Sequence, residues 1–308
     1  MGVVPIFISG GKNMLNGVFT ALATPLNASG AIDYPALERL LIAQVNAGVH
    51  GIVLLGTTAE TPTLTPEEKK QLLDFCVPRL RGKCKIIIGA GSNSTASTVE
   101  TARQALFYKP DAILVVTPYY NKPNPSGLIA HYKAVAALGT PIILYHIPGR
   151  TGLKLPANVL TQLLKEVPQI CGIKESDYDM AHVTDMAVQY AGKLDYLCGN
   201  DDLFPLYLSL SGAGIISAAA NIFAPAFVKI YNLFKEGNTK DSFALFAQLY
   251  PLIKACYWET NPTCIKYMLS KRGFGSQAVR LPLGEISMEH KAQIDALLKT
   301  AETSWMIQ

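Results

Sequence analysis

Three stretches set the fold: Gly51-Ile-Val-Leu-Leu55, Thr65-Pro-Glu-Glu68 and Lys85-Ile-Ile-Ile-Gly89. The first and last are short runs, apolar on both faces, of the length that a covered strand needs. Between them lies a helix start. Thr65 can cap the first turn, Pro66 suits the first helical position, and Glu67 and Glu68 complement the positive end of the helix dipole. The pattern predicts a helix from there to Leu80, with Pro78 expected to kink or stop it. A strand, a helix and a second strand in this order make a parallel pair joined by a crossover.

The same alternation runs outward in both directions. Further strand candidates are Val18–Thr24, Ala112–Thr117, Pro141–Ile147, Ile170–Lys174, Leu194–Cys198 and Gly214–Ser217, which brings the set to eight. Asp33 precedes a helical run over Tyr34–Ala47, Thr95 opens another, and Pro156 opens one ending near Glu166. Eight strand–helix units in about 220 residues match a (β/α)₈ (TIM) barrel of the α/β class. The alternative is an open doubly wound sheet, but no Gly-x-Gly-x-x-Gly follows the first strand and Gly89-Ala90-Gly91 is too partial to count. Helical patterns near 222–236, 240–257, 260–270 and 287–303 exceed one barrel helix. The expected division is an N-terminal extension (1–16), a barrel (17–236) and a C-terminal helical extension packed on it (237–308).

The chain has 308 residues, 49% hydrophobic and 16% charged, with a mean hydropathy of +0.22. That balance suits a globular protein with a sizeable core. The net charge of +4 is spread along the chain, which argues against a nucleic-acid partner. No apolar run reaches the length of a membrane span. The six cysteines form no Cys-x-x-Cys pair and no zinc spacing, so a reducing, cytoplasmic setting and no metal are expected. The apolar stretch Val3 to Ile8 is too short for a secretory signal.

In such a barrel, chemistry gathers where the strands end. Strand two leads into Gly56-Thr57-Thr58-Ala59-Glu60, and strand four into Thr117-Pro-Tyr119-Tyr120-Asn121. Strand five ends in Tyr145-His-Ile-Pro-Gly-Arg150-Thr-Gly152, and strand six in Cys171-Gly-Ile-Lys174-Glu-Ser176. Strand alternation puts Ile170, Gly172 and Lys174 on one face, and Ile143 and Tyr145 on one face of the neighbouring strand. A buried amine is costly to keep charged, and a neutral amine is a nucleophile suited to a Schiff base. A phenol beside it can move protons on and off the carbinolamine oxygen. Thr57 and Thr58 can hold a carboxylate or pass a proton, and Arg150 offers a planar fork for a carboxylate. Each has a plainer role open to it: a lysine snorkelling from a strand end, a core tyrosine, a cap, a solvated loop charge. Their gathering at successive strand ends favours a site.

The linked motifs Gly-Thr-Thr-Ala-Glu, Tyr-Tyr-Asn-Lys-Pro, Tyr-His-Ile-Pro-Gly-Arg-Thr-Gly and Gly-Ile-Lys-Glu-Ser resemble the dihydrodipicolinate synthase family, of the class I pyruvate-dependent aldolases. The likeness runs from about Val18 to the C-terminus. It implies that Lys174 forms a Schiff base with pyruvate, that Tyr145 shuttles protons, and that Thr57 and a neighbouring subunit's Tyr120 complete the relay. It further implies that Thr58 holds the pyruvate carboxylate, Arg150 holds the carboxylate of aspartate semialdehyde, and Gly199 and Ile216 line the pocket. The implied enzyme is a lyase of diaminopimelate and lysine biosynthesis, a homotetramer built as a dimer of dimers, needing no cofactor. Other pyruvate aldolases, such as 2-keto-3-deoxy acid or N-acetylneuraminate lyases, and a non-catalytic ligand-binding barrel stay open as alternatives. Ala59, His146, Asn200, Ala218 and Ala219 depart from the common family pattern. At the positions that hold feedback lysine in regulated members, this chain has Pro66, Lys69 and Ser97, with Tyr119 and Asn93 kept, so inhibition by lysine is expected to be weak or absent.

Overall fold

The computed structural model describes residues 15–308; the extension expected over 1–16 falls almost wholly outside them. Among the described residues there are eight strands: β1 (Gly17–Ala21), β2 (Gly51–Leu54), β3 (Lys85–Gly89), β4 (Ala112–Val116), β5 (Ile142–His146), β6 (Ile170–Glu175), β7 (Asp195–Cys198) and β8 (Gly214–Ser217). Each pairs in parallel with the next, and β8 pairs with β1, which closes the barrel.

The connecting helices are α1 (Tyr34–Asn46), α2 (Pro66–Leu80), α3 (Thr95–Leu106), α4 (Pro125–Ala136), the single turn α5 (Pro148–Thr151), α6 (Ala157–Glu166), α7 (Met180–Tyr190) and α8 (Phe204–Ser209). After β8 come α9 (Ala220–Lys235), α10 (Thr239–Ala255), α11 (Thr263–Lys271) and α12 (Met288–Thr300). Among the described residues no helix is long and apolar enough to cross a membrane.

Helix starts follow local chemistry. Thr65 and Glu68 cap each other's backbone at α2, and Asp33 accepts from the Ala36 N–H at α1. One expectation shifts. Pro78 lies inside α2 without ending it; so near the C-terminus its missing N–H forfeits little of the helix. α3 opens at Thr95 as expected, and Ser94 caps it through the Ser97 N–H.

The core has two layers. Phe19, Val53, Ile87, Leu114, Ile143 and Ile216 fill the barrel, while Val18, Ile52, Ile86, Ile113, Leu144 and Ile215 pack outward against the helices. This one-residue offset is the strand period at work. It fails once. Ile142 pairs with Ile170, but Ile143 pairs with Gly172, so β6 carries an extra residue at Cys171. Ile170 therefore joins the outer layer and Cys171 packs toward the barrel interior. The expectation that Ile170 shares a face with Gly172 and Lys174 is corrected by this bulge. Beyond it the register is regular, and Tyr145 pairs with Lys174 and His146 with Glu175.

Candidate active site

At the C-terminal mouth of the barrel the loops enclose a cavity of about 450 Å³. Lys174 and Tyr145 stand on its floor, 7% and 6% exposed. Lys174 Nζ lies 4.2 Å from the centroid of the Tyr145 ring, close enough for a cation–π contact while the amine is charged. Adjacent strands and matching register bring the two together, as the sequence implies.

Gly56, Thr57 and Thr58 form one wall. The tight turn Thr57–Ala59 ends at Glu60, whose left-handed backbone (φ 56°) turns the chain back. Glu60 is buried and ion-paired to buried Lys266 at 2.5 Å, and it also accepts the Arg280 N–H at 2.7 Å. The C-terminal helices thus anchor the threonine turn. Thr58 is buried, and its Oγ1 accepts a hydrogen bond from Asn261 Nδ2 at 3.0 Å. Its own proton is left to donate into the cavity.

Arg150 sits in α5 at the rim, exposed, with Nη2 donating to the Asn261 carbonyl at 3.4 Å. Gly199 and Ile216 also line the cavity. A Cβ on Gly199 would stand 2.0 Å from Ser176 Oγ, 2.9 Å from the Glu175 carbonyl and 3.1 Å from Lys174 Cε. Only glycine fits there.

Tyr120 is the one expected site residue that its own chain does not bring to the cavity. It is 90% exposed, with a left-handed backbone (φ 70°). Of the departures from the family pattern, Asn200 and Ala218 line the cavity, whereas His146 faces the outer layer and bonds Glu175.

Among the polar lining residues, sequence reasoning missed Ser176, Asp177, Tyr178, Tyr257 and Asn261. Ser176 Oγ is buried without a partner among the described residues, so a bound ligand can use it. Tyr257 donates its hydroxyl to buried Asp201, whose carboxyl is pushed up by burial against the pull of its hydrogen bonds. Ser176 and Asp177 directly follow the Lys174-Glu175 pair, a signal available in the sequence. Nothing local marks Tyr257 and Asn261, which come from the connection between α10 and α11.

Chemically, the cavity holds an amine nucleophile, a phenol in contact with it, a free hydroxyl donor and a rim guanidinium. These suit a 2-oxo acid held as a Schiff base, with a second anionic reactant at the rim.

Comparison with known proteins agrees with this. The model of the dihydrodipicolinate synthetase family matches residues 14–301. The 4-hydroxy-tetrahydrodipicolinate synthase of Brachyspira hyodysenteriae is 37% identical over 287 residues, covering 93% of this chain and 97% of its own. The crystal structure of dihydrodipicolinate synthase from Thermotoga maritima superimposes with a TM-score of 0.90 at 33% identity, over 93% of this chain and 98% of that one. The chloride-inhibited enzyme of Acinetobacter baumannii complexed with pyruvate gives 0.89 at 33% identity, over 92% and 98%. With a lysine-bearing barrel of matching topology and relatives aligned over nearly their full length, the chain belongs to the dihydrodipicolinate synthetase family.

Proposed function

We infer that this chain is a 4-hydroxy-tetrahydrodipicolinate synthase, a lyase condensing pyruvate with aspartate semialdehyde in the diaminopimelate and lysine pathway. The observation that carries this is the buried Tyr145–Lys174 pair beneath the Thr58 hydroxyl and the Arg150 rim.

The Lys174 amine attacks C2 of pyruvate. The carbinolamine oxygen gains a proton from the Tyr145 side and leaves as water, which yields the Schiff base. Thr58 holds the pyruvate carboxylate. Loss of a C3 proton gives the enamine, whose C3 attacks the aldehyde carbon held through Arg150. The amino group of the second substrate then displaces Lys174 from C2 and closes the ring. Thr57 and Tyr120 complete the proton relay, and Gly199 and Ile216 shape the wall.

Tyr120 serves the site of a neighbouring subunit, within a homotetramer. An exposed aromatic ring on a left-handed backbone is costly in a lone chain, since that conformation disfavours a residue with a Cβ by about 1–2 kcal/mol. Mixing a Tyr120→Phe variant with a Lys174→Ala variant tests this. Hybrid oligomers regain activity if the tyrosine is shared and stay inactive if it is not.

The function is tested by borohydride reduction with pyruvate, read by intact mass and peptide mapping. A pyruvate-sized adduct on Lys174, lost in Lys174→Ala, is the expected result. A folded protein without an adduct would leave a ligand-binding barrel instead.

A further inference from the structure

The residues that follow Tyr145 and Lys174 point away from the cavity and meet each other. His146 and Glu175 are 1% and 0% exposed, and His146 Nδ1 lies 2.8 and 3.0 Å from the two Glu175 oxygens. His146 Nε2 accepts the Leu155 N–H at 3.1 Å. That lone pair is therefore occupied, and the ring proton sits on Nδ1 and is donated to Glu175. Glu175 Oε1 also accepts the Asp177 N–H at 2.8 Å, and His182 Nε2 stands 3.7 Å from Oε2. The backbone adds Ser176 N–H to the His146 carbonyl at 2.8 Å and Gly199 N–H to the Glu175 carbonyl at 2.7 Å.

A carboxylate without solvent contact is expensive unless its oxygens are fully partnered. The Schiff-base chemistry makes no direct use of this one. Its placement has another consequence. The β5–β6 pairing is interrupted by the bulge at Cys171, and a one-residue slip would turn Lys174 out of the cavity. The His146–Glu175 bond lies beyond the bulge, one residue past the reacting pair. Its two backbone partners, Leu155 and Asp177, belong to the loops that carry Arg150 and Ser176.

We propose that His146 and Glu175 are positioning residues, a buried clamp that locks β5 to β6 at the level of Tyr145 and Lys174 and sets the two loops beside them. For its kinetic consequences the proposal rests on the Schiff-base reading of Lys174. A metal site is the competing use of the cluster, because His146, Asp177 and His182 bring ligand atoms within 4.8 Å of one another. It would require His146 to surrender either the Leu155 or the Glu175 hydrogen bond, so the clamp is favoured.

Two substitutions separate the bonds. His146→Asn keeps a short N–H donor for Glu175 but cannot reach Leu155; His146→Leu loses both. In His146→Leu, borohydride trapping at saturating pyruvate falls by roughly tenfold to a hundredfold, the range for a misplaced reacting group. His146→Asn restores most of the trapping rate, yet its KM for the aldehyde stays raised because the Arg150 loop is loosened. Hydrogen–deuterium exchange rises over residues 142–155 and 170–179 in His146→Leu and not over α12. A folded His146→Leu protein with wild-type trapping and exchange overturns the proposal. If that variant does not fold, Glu175→Ala, which removes both acceptor oxygens, is read in the same way, and unchanged exchange over both segments overturns it. Failure of the wild type to trap pyruvate would sink the functional reading instead, and the exchange comparison would still decide the clamp.

Discussion

Asn261 Nδ2 donates a hydrogen bond to Thr58 Oγ1 at 3.0 Å, across 203 residues of sequence. It fixes the hydroxyl expected to hold the pyruvate carboxylate, while the Asn261 carbonyl receives the Arg150 guanidinium. Asn261→Ala leaves Thr58 free to rotate. A hydrogen bond of this kind is worth about 1 kcal/mol, so KM for pyruvate rises about fivefold, with kcat less affected. Initial-rate kinetics at varied pyruvate check this. An unchanged KM would show that the bond does not orient Thr58.

Tyr145→Phe keeps the ring beneath Lys174 and removes the proton carrier. The rate falls by about 10²–10⁴, the usual contribution of a positioned acid–base group. Pyruvate binding measured by calorimetry changes far less. Near-wild-type turnover would remove Tyr145 from the relay.

Gly199→Ala places a methyl against Ser176 Oγ, the Glu175 carbonyl and Lys174 Cε. The serine can rotate but the carbonyl cannot, and overpacking of this kind costs about 1–3 kcal/mol. Both thermal stability and trapping rate drop. The double variant Gly199→Ala/Ser176→Gly recovers part of each, since one of the three close approaches is gone. No recovery would place the strain in the backbone alone.

Glu68 and Arg280 form a two-pronged pair at 2.6 and 2.8 Å. Hydrogen bonding from Arg280, working against the cost of burial, lowers the Glu68 carboxyl from an ordinary 4.5 to about 2. A depressed carboxyl contributes stability that is present above the unfolded value and lost as pH falls through the folded one. Wild type therefore melts higher than Glu68→Gln above pH 4.5 and converges with it toward pH 2. Near neutrality the gap corresponds to about 1–2 kcal/mol for a charge-assisted bond at a partly exposed site. Melting curves from pH 2 to 7 test the sign, and a gap that persists at pH 2 would assign the stability to packing.

Free lysine is expected to inhibit weakly or not at all. Ser97, exposed in the first turn of α3, offers no carboxylate for a ligand ammonium. Lys69 brings a like charge, although burial draws its own ammonium below the ordinary lysine range. Half-inhibition by low-millimolar lysine in a steady-state assay would contradict this.

The sequence by itself determined the alternation of strand and helix, the helix starts at Asp33 and Thr65, and the strand ends at which Tyr145, Lys174, Thr57 and Arg150 stand. These follow from local rules, namely the two-residue strand period, capping chemistry and strand length. Only the tertiary structure decided the bulge at Cys171, which rotates Ile170 out of the barrel, because a register break depends on the partner strand. It alone brought Asn261 and Tyr257 over the cavity and seated Lys266 on Glu60. The Asn261 and Lys266 contacts span 203 and 206 residues, and no periodicity or cap encodes them. They arise where the C-terminal helices close over the barrel and buried polar groups must find partners.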